Sequence, residues 1–430
     1  EYYLSLLPLL RERPAESIQV YLNLGNVTQL LGRWEQAEKY YTTGLELAET
    51  FAQETEAVHC RLALGQLQNQ RSNYESALEW LKQARGGFER LGHRRGMSLA
   101  LAEMGQVYFR QAKHTEATAM LEESLALARQ LGERADEALA LKNLGSGAWR
   151  QGQYGRARTL YGESLALYRQ IGDKQGIATL LNNLGNVLDD EGDYSAARAH
   201  YEESLAMCRE IGDKRGISRV LNNLGFMAWA QGDLTAARAL HQEGLTLEQE
   251  LGEKWGMASS LNNLGSVAAE QGDFEAAGRY YEEGLALSQE VGAGLDVALA
   301  WCNLGEIAVA RQAYQRAGEY YEKSIRLAQE VASYRLVAYN LIVLAELALL
   351  RPVPDGQMRE QQAKRAARLL AAAQLELMTL GTRLNRVEQR TYDRVRSSVG
   401  AILGESALEA AWAEGEKLGL ETAVSCALQP

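Results

Sequence analysis

Side-chain amides recur along the chain at a fixed interval of 40 residues. Asn182–Asn183, Asn222–Asn223 and Asn262–Asn263 each stand in the sequence Leu-Asn-Asn-Leu-Gly. An amide both donates and accepts hydrogen bonds, so a row of amides can pair with the backbone of an extended peptide. The same amides can instead bond to neighbouring helices and fix the angle at which they stack. The sequence leaves both roles open.

Residues that carry catalytic or metal chemistry show no comparable order. The chain has 5 histidines and 4 cysteines, and their spacing matches no metal site. It contains neither a G-x-x-x-x-G-K-S/T phosphate loop nor a G-x-S-x-G nucleophile turn. We therefore expect no catalytic residue, no metal and no cofactor, and a protein that binds rather than catalyses.

The composition favours a cytoplasmic protein that binds neither nucleic acid nor membrane. The formal net charge is -11 and no basic stripe is visible, which argues against a nucleic-acid ligand. The cysteines are few and far apart, so we expect no disulfide framework and a reducing compartment. No apolar run approaches the ~20 residues that a membrane span needs. No signal peptide is visible either.

The amides belong to a repeat that is defined by one glycine in every 40 residues. Such a period, held over eight units, is typical of an array of one supersecondary unit. An array of this kind presents a surface along its length, which suits recognition better than chemistry in a pocket. The glycines are Gly25, Gly65, Gly105, Gly145, Gly185, Gly225, Gly265 and Gly305, and Ala345 takes the next position.

Each unit reads as two amphipathic helices, here named helix A and helix B. In the unit 173–212, helix A is predicted to end at Gly192, and Asp193 is predicted to cap helix B. The repeated glycine falls in the middle of helix A, where it costs about 1 kcal/mol relative to alanine. We expect this cost to be offset by close approach of Ala197, with the ring of Tyr201 filling the next gap.

Helix A has a polar face opposite its packing face, and we expect this face to bind a ligand. Its rings could anchor apolar side chains of a partner or pack on the adjacent helix A, and both readings stay open. Its charged residues could pair with charged groups of the ligand. The candidate ligand-binding residues are Asn143, Asn182, Asn183, Asn186, Asn222, Asn223, Asn262, Asn263, Asn303, Lys142, Arg219, Trp149, Phe226 and Trp229.

Leu-Gly, then alanine at +12, a large residue at +16 and a small residue at +19 together resemble the tetratricopeptide repeat. The usual period of that family is 34 residues. The longer period here is similar to the repeats of kinesin light chain and of the Leu-Gly-Asn spindle-orientation scaffolds. The resemblance covers about residues 13–350 and implies an all-α right-handed superhelix, an α-solenoid. It also implies that the helix A faces line a concave groove, in which asparagine ladders hold peptide backbones.

The last 80 residues differ from the array. A breaker, Arg351-Pro-Val-Pro-Asp-Gly, precedes three predicted helices at about 357–379, 385–402 and 405–418, which would form a helical cap. This region also contains Ala366-Ala-Arg-Leu-Leu-Ala-Ala-Ala, Tyr392 in a basic helix, Ala410-Ala-Trp-Ala-Glu-Gly and Leu420-Glu-Thr-Ala-Val. Through these motifs, residues 360–425 resemble the C-termini of bacterial signal-transducing ATPases of the STAND class. The expected domains are a remnant helix at 1–12, an array at 13–350 with about eight repeats and a partial ninth, and a capping region at 351–430.

The resemblances imply a sensor region of a STAND-type ATPase, which binds a protein, peptide or small-molecule signal in the groove. Because the chain begins at Glu1 within a half repeat, we expect it to be part of a longer protein with the ATPase module upstream. A stand-alone adaptor for a partner peptide is the first alternative. A structural spacer or self-assembling scaffold is the second.

Overall fold

A computed structural model describes residues 13–30, 32–111 and 113–429. These residues form helices joined by short turns, and they contain no strand. The predicted all-α class and the stacking of helix pairs are therefore confirmed. The predicted remnant helix at 1–12 lies outside the described residues.

The chain divides into two compact units, and the first spans Glu1–Gly212. Its described residues form five helix pairs, each made of a helix A followed by a helix B. Each helix packs against its pair partner, and within the unit each pair packs against the next. The ten helices are α1 (Pro14–Leu30), α2 (Trp34–Thr50), α3 (Glu54–Gln70), α4 (Tyr74–Arg90), α5 (Arg94–Arg110), α6 (His114–Leu131), α7 (Arg134–Arg150), α8 (Tyr154–Ile171), α9 (Lys174–Glu191) and α10 (Tyr194–Ile211).

The second unit spans Asp213–Pro430. It holds three complete pairs, a single helix A (α17) and four further helices. The first of these, α18, packs along α17 in the place of a helix B. The helices are α11 (Lys214–Gln231), α12 (Leu234–Leu251), α13 (Lys254–Glu270), α14 (Phe274–Glu290), α15 (Gly294–Ala310), α16 (Tyr314–Glu330), α17 (Tyr334–Leu350), α18 (Gly356–Leu380), α19 (Arg386–Leu403), α20 (Glu405–Gly415) and α21 (Leu420–Leu428).

The turns within the pairs form as the sequence predicts. Gly192 ends α9 in the left-handed conformation with φ 88°, which glycine adopts without a steric penalty. The side chain of Asp193 then accepts a hydrogen bond from the backbone N–H of Ala196 and caps α10. Both predictions at this turn are confirmed, and the local sequence accounts for them.

The large side chain sixteen residues after each repeated glycine, rather than the alanine at +12, is its closest neighbour. A Cβ placed on Gly185 would lie 2.5 Å from Cε1 of Tyr201. Leucine or histidine takes the place of the tyrosine in three repeats and makes the same approach. The glycine is needed because this side chain lies directly on the backbone of helix A. Further along α10, Cys208 is buried, whereas its neighbour Met207 is only half-buried.

The C-terminal helices continue the core of the second unit. Ala366, Leu369 and Leu370 of α18 are buried in the same apolar cluster as Leu341 and Leu344 of α17. Helices α20 and α21 pack on α18, which gives one helix more than the sequence predicted in this region. The exposed apolar side of α17 is thereby covered. The predicted domain limit at residue 350 stays a prediction.

Candidate functional site

The two asparagine columns have different surroundings. Asn222, three residues before its glycine, donates from Nδ2 to Oε1 of Glu248 at 3.1 Å. Its Oδ1 accepts from Oγ of Ser260 at 3.1 Å and from Nδ1 of His241 at 3.0 Å. These partners lie on α12 and α13, so Asn222 of α11 links three consecutive helices. Asn182 occupies the same position in the first unit and is only 3% exposed. This column lies within the helix packing, which supports the stacking role that the sequence left open.

The second column, two residues before each glycine, retains amides that point out of the packing. The side chains of Asn183, Asn263 and Asn303 are half-buried and make no hydrogen bond to any described residue. Asn143 is buried instead, and its Nδ2 has no partner among the described residues. Asn186 follows its glycine and accepts from the hydroxyl of Tyr201 at 2.7 Å. Of the predicted amides in the first unit, only Asn183 is both half-buried and without a hydrogen bond to a described residue.

We name the surface made by α1, α3, α5, α7 and α9 the first helix A face. Oε1 of Glu103 accepts from Nε2 of Gln66 at 3.1 Å on this face. Burial raises the pKa of Glu103, while its hydrogen bond to Gln66 and the positive charges of Lys142 and Arg110 lower it. The predicted ligand residue Lys142 therefore lies beside an acidic group.

Trp149, a predicted anchor, also has a partner on the first helix A face. Its Nε1 donates to Oδ2 of Asp190 at 2.6 Å, across from α7 to α9. Burial and the charge of Asp190 raise the pKa of Asp189 to about 6. The face thus presents an indole beside two carboxyl groups. None of the described helices of the first unit lies over it.

The corresponding surface of α11, α13, α15 and α17, named the second helix A face, is covered by α19. Trp229 is 8% exposed and shares an apolar cluster with Val387 of α19. Phe226 is 42% exposed and packs beside Trp229, with ring centroids 5.4 Å apart. Arg219 is exposed. The structure therefore places Trp229 under a helix of its own chain rather than at an open surface.

Three arginines on one side of α19 hold it to the second helix A face. Nη2 of Arg390 lies 2.5 Å from Oε1 of Glu270, and Nη2 of Arg386 lies 3.3 Å from Oε2 of the same residue. Arg394 pairs with Glu346 at 2.6 Å. Their four-residue spacing places them on one face of the helix. Sequence reasoning missed this contact, although arginines at that spacing and glutamates on helix A were both visible.

A cavity of about 560 Å³ lies between the second helix A face and α19. Glu306 of α15 lines it and accepts from the hydroxyl of Tyr339 at 2.5 Å. Burial raises the pKa of Glu306 to about 7, and the charges of Glu388 and Glu346 add to this shift. The hydrogen bond from Tyr339 and the positive charge of Arg394 oppose it. Glu306 has no ion-pair partner among the described residues.

In the described part of the chain, no group of three or more histidine, cysteine, aspartate or glutamate side chains could hold a metal ion. No helix there is long and apolar enough to cross a membrane.

Comparison with solved structures shows the same fold at low sequence identity. A STAND protein with a tetratricopeptide repeat sensor, PH0952 from Pyrococcus horikoshii, is 15% identical over 81% of this chain and 55% of that chain, with a TM-score of 0.52. A Rap protein complexed with competence and sporulation factor is 13% identical over 77% and 97% of the two chains, with a TM-score of 0.53. Aspartyl phosphate phosphatase F from Bacillus subtilis is 14% identical over 67% and 75%, with a TM-score of 0.52.

No curated protein matches the chain. Two tetratricopeptide repeat models match most of it, one at residues 16–90, 96–170, 141–210, 176–250 and 216–290, and the other at 262–332. The 40-residue spacing, the paired helices and the large side chain on each mid-helix glycine agree with these matches. The chain belongs to the tetratricopeptide repeat family, and its stacked helix pairs are suited to protein interaction.

Proposed function

We propose that the chain is the signal-recognition module of a STAND-type ATPase, and that a peptide or protein segment binds to its first helix A face. One observation carries the binding role. The second helix A face already holds a polypeptide, the chain's own α19, through arginine–glutamate pairs and a buried tryptophan. The first face is built from the same repeat and is not covered by any described helix of its unit.

The residues of the first helix A face define the kind of segment that it would bind. The amide of Asn183 can donate to and accept from the backbone of an extended peptide. The indole of Trp149 and the nearby Asp189 and Asp190 suit a segment with apolar and basic side chains. Binding of this kind needs no catalytic group, so we infer recognition rather than catalysis, in the cytoplasm.

The regulatory part of the proposal rests on two further points. Residues 360–425 resemble the C-termini of STAND regulators, and the fold is similar to that of PH0952, whose tetratricopeptide repeats are its sensor. A ligand shifts a switch only by its difference in affinity for the two states. Ligand binding would therefore have to favour one arrangement of the repeats relative to an ATPase module upstream.

The binding role can be tested with peptides selected from a phage-displayed library on the full chain. We expect Asn183→Ala to weaken the selected peptides by about two- to tenfold, the effect of one lost hydrogen bond. Gln170→Ala is the matched control, because Gln170 is an exposed amide of α8 that makes no hydrogen bond to described residues. Peptides that bind both variants as tightly as the wild type would show that the first helix A face is not the site.

The regulatory role has a separate test. The reading frame upstream of Glu1 should encode a phosphate-binding loop of the G-x-x-x-x-G-K-S/T type. An upstream sequence without such a loop would leave the alternative, an adaptor that binds its partner peptide without an ATPase.

A further inference from the structure

The cavity under α19 has the size of a small-molecule site. Its volume of about 560 Å³ falls within the roughly 300–1,000 Å³ that is usual for ligand pockets. It lies entirely in the second unit, between α19 and the second helix A face. Its walls combine aromatic residues such as Trp229 and Phe274 with several carboxyl groups and with Arg390 and Arg394, which pair with Glu270 and Glu346.

The hydroxyl of Tyr321 has lost the partner that equivalent tyrosines have. In other repeats this tyrosine donates to the residue after the glycine, as Tyr201 does to Asn186 at 2.7 Å. The residue after Gly305 is Glu306, which instead accepts from Tyr339 on the next helix A. The side chain of Tyr321 is 0% exposed and lines the cavity, yet its hydroxyl bonds to no described residue.

Two more polar groups in the same wall are incompletely paired. Asn303 lies one helical turn before Glu306, and its amide has no hydrogen bond to described residues. The carboxyl group of Glu306 has the Tyr339 hydroxyl but no cation within ion-pair distance in the described part of the chain. A buried polar group without its partners is costly, so a ligand that supplies those partners would be stabilised.

The neighbouring carboxylates indicate which chemistry fits. On the same helix A face, Glu270 and Glu346 each bind guanidinium groups from α19. Glu306 lies between them along the repeats and feels the charge of Arg394, but no guanidinium of the described residues lies within ion-pair distance of it. A planar guanidinium matches a carboxylate through two parallel hydrogen bonds and also stacks on aromatic rings.

We propose that this cavity binds a small organic cation carrying a guanidinium group, which donates to Glu306 while Asn303 and the Tyr321 hydroxyl complete its hydrogen bonds. The site is independent of the proposed peptide site, because it lies in the other unit and uses other residues. A polypeptide ligand would have to displace α19 to reach Glu306, whereas a small cation can occupy the cavity with α19 in place.

The test measures binding of n-butylguanidinium to the full chain by isothermal titration calorimetry. We expect saturable binding, and at least about tenfold weaker binding of the neutral isostere n-butylurea, because the charge-assisted hydrogen bonds are lost. Glu306→Gln should weaken the cation by about tenfold or more while still accepting from Tyr339. Glu283→Gln, an exposed carboxylate of α14 outside the cavity, is the matched control and should have no effect.

A second pair of variants tests the hydroxyl. Tyr321→Phe should weaken the cation about two- to tenfold, whereas Tyr201→Phe, the equivalent change in the first unit, should not. The proposal is overturned if n-butylguanidinium shows no saturable binding, or if Glu306→Gln binds it as the wild type does. It is also overturned if binding accelerates amide hydrogen exchange throughout α19, because the ligand would then be replacing the helix rather than filling the cavity.

Discussion

Replacing Gly185 by alanine tests the packing that defines the repeat. The new Cβ would lie 2.5 Å, 2.7 Å and 3.0 Å from Cε1, Cδ1 and Cζ of Tyr201. Carbon atoms pack best at about 3.5–4.0 Å, so the ring would have to retreat by about 1 Å. It cannot do so freely, because the side chain is 2% exposed and its hydroxyl is bonded to Asn186.

Two opposing terms set the expected magnitude. Overpacking of a core costs about 1–3 kcal/mol. Alanine in a helix interior gains back about 1 kcal/mol relative to glycine. We therefore expect Gly185→Ala to lower the free energy of unfolding by up to about 2 kcal/mol, despite the better helix propensity of alanine.

The matched control is Gly162→Ala in the interior of α8. No atom lies within 4 Å of a Cβ built on Gly162, so only the gain in helix propensity applies. This variant should be stabilised by up to about 1 kcal/mol. The difference between the two variants isolates the contact with the ring.

Urea unfolding followed by far-ultraviolet circular dichroism gives the midpoint for each variant. Repeat arrays can unfold in stages, so hydrogen exchange of the amides in α9 and α10 should be measured as a local check. If Gly185→Ala raises the midpoint as much as Gly162→Ala does, then the ring does not require the glycine and our account of the repeat is wrong.

Three further predictions concern single side chains. Because the pKa of Glu306 is raised from 4.5 to about 7, the folded state holds this proton more tightly than the unfolded chain does, and the stability that the proton contributes is lost as the pH rises between those values. The urea midpoint of Glu306→Gln should therefore fall less than that of the wild type from about pH 5 to about pH 8. Equal falls in the two proteins would contradict this. Glu270→Gln should speed hydrogen exchange in α19, because two arginines lose their carboxylate partner. The control Glu275→Gln, at an exposed position, should leave this exchange unchanged. Unchanged exchange in both variants would show that these ion pairs do not hold the helix. Among the four cysteines, only the half-exposed Cys426 should react quickly with a thiol reagent in the native protein. Cys302 is buried, and burial raises the pKa of its thiol, so a fast reaction of Cys302 would contradict the packing of α15.

The sequence was enough to predict the repeating unit, because its signals are local. Gly192 and Asp193 act within one turn, and the apolar spacing of helix A is set by 3.6 residues per turn. The sequence did not separate Asn182 from Asn183, although they are adjacent. A step of one residue rotates the side chain by about 100°, so one amide enters the packing and the other leaves it. Which one enters depends on how the neighbouring helix approaches.

The glycine period and the capping residues thus determined by themselves that helix pairs would form and stack. The position of α19 was decided only by the tertiary structure. Arg386 and Glu270 are 116 residues apart, and no local periodicity relates two segments at that separation. Their contact depends on the accumulated geometry of several stacked pairs, which brings the glutamates of separate helices into one row opposite the arginines. The same geometry leaves the cavity beneath α19 and places the hydroxyl of Tyr339, rather than that of Tyr321, in hydrogen-bond contact with Glu306.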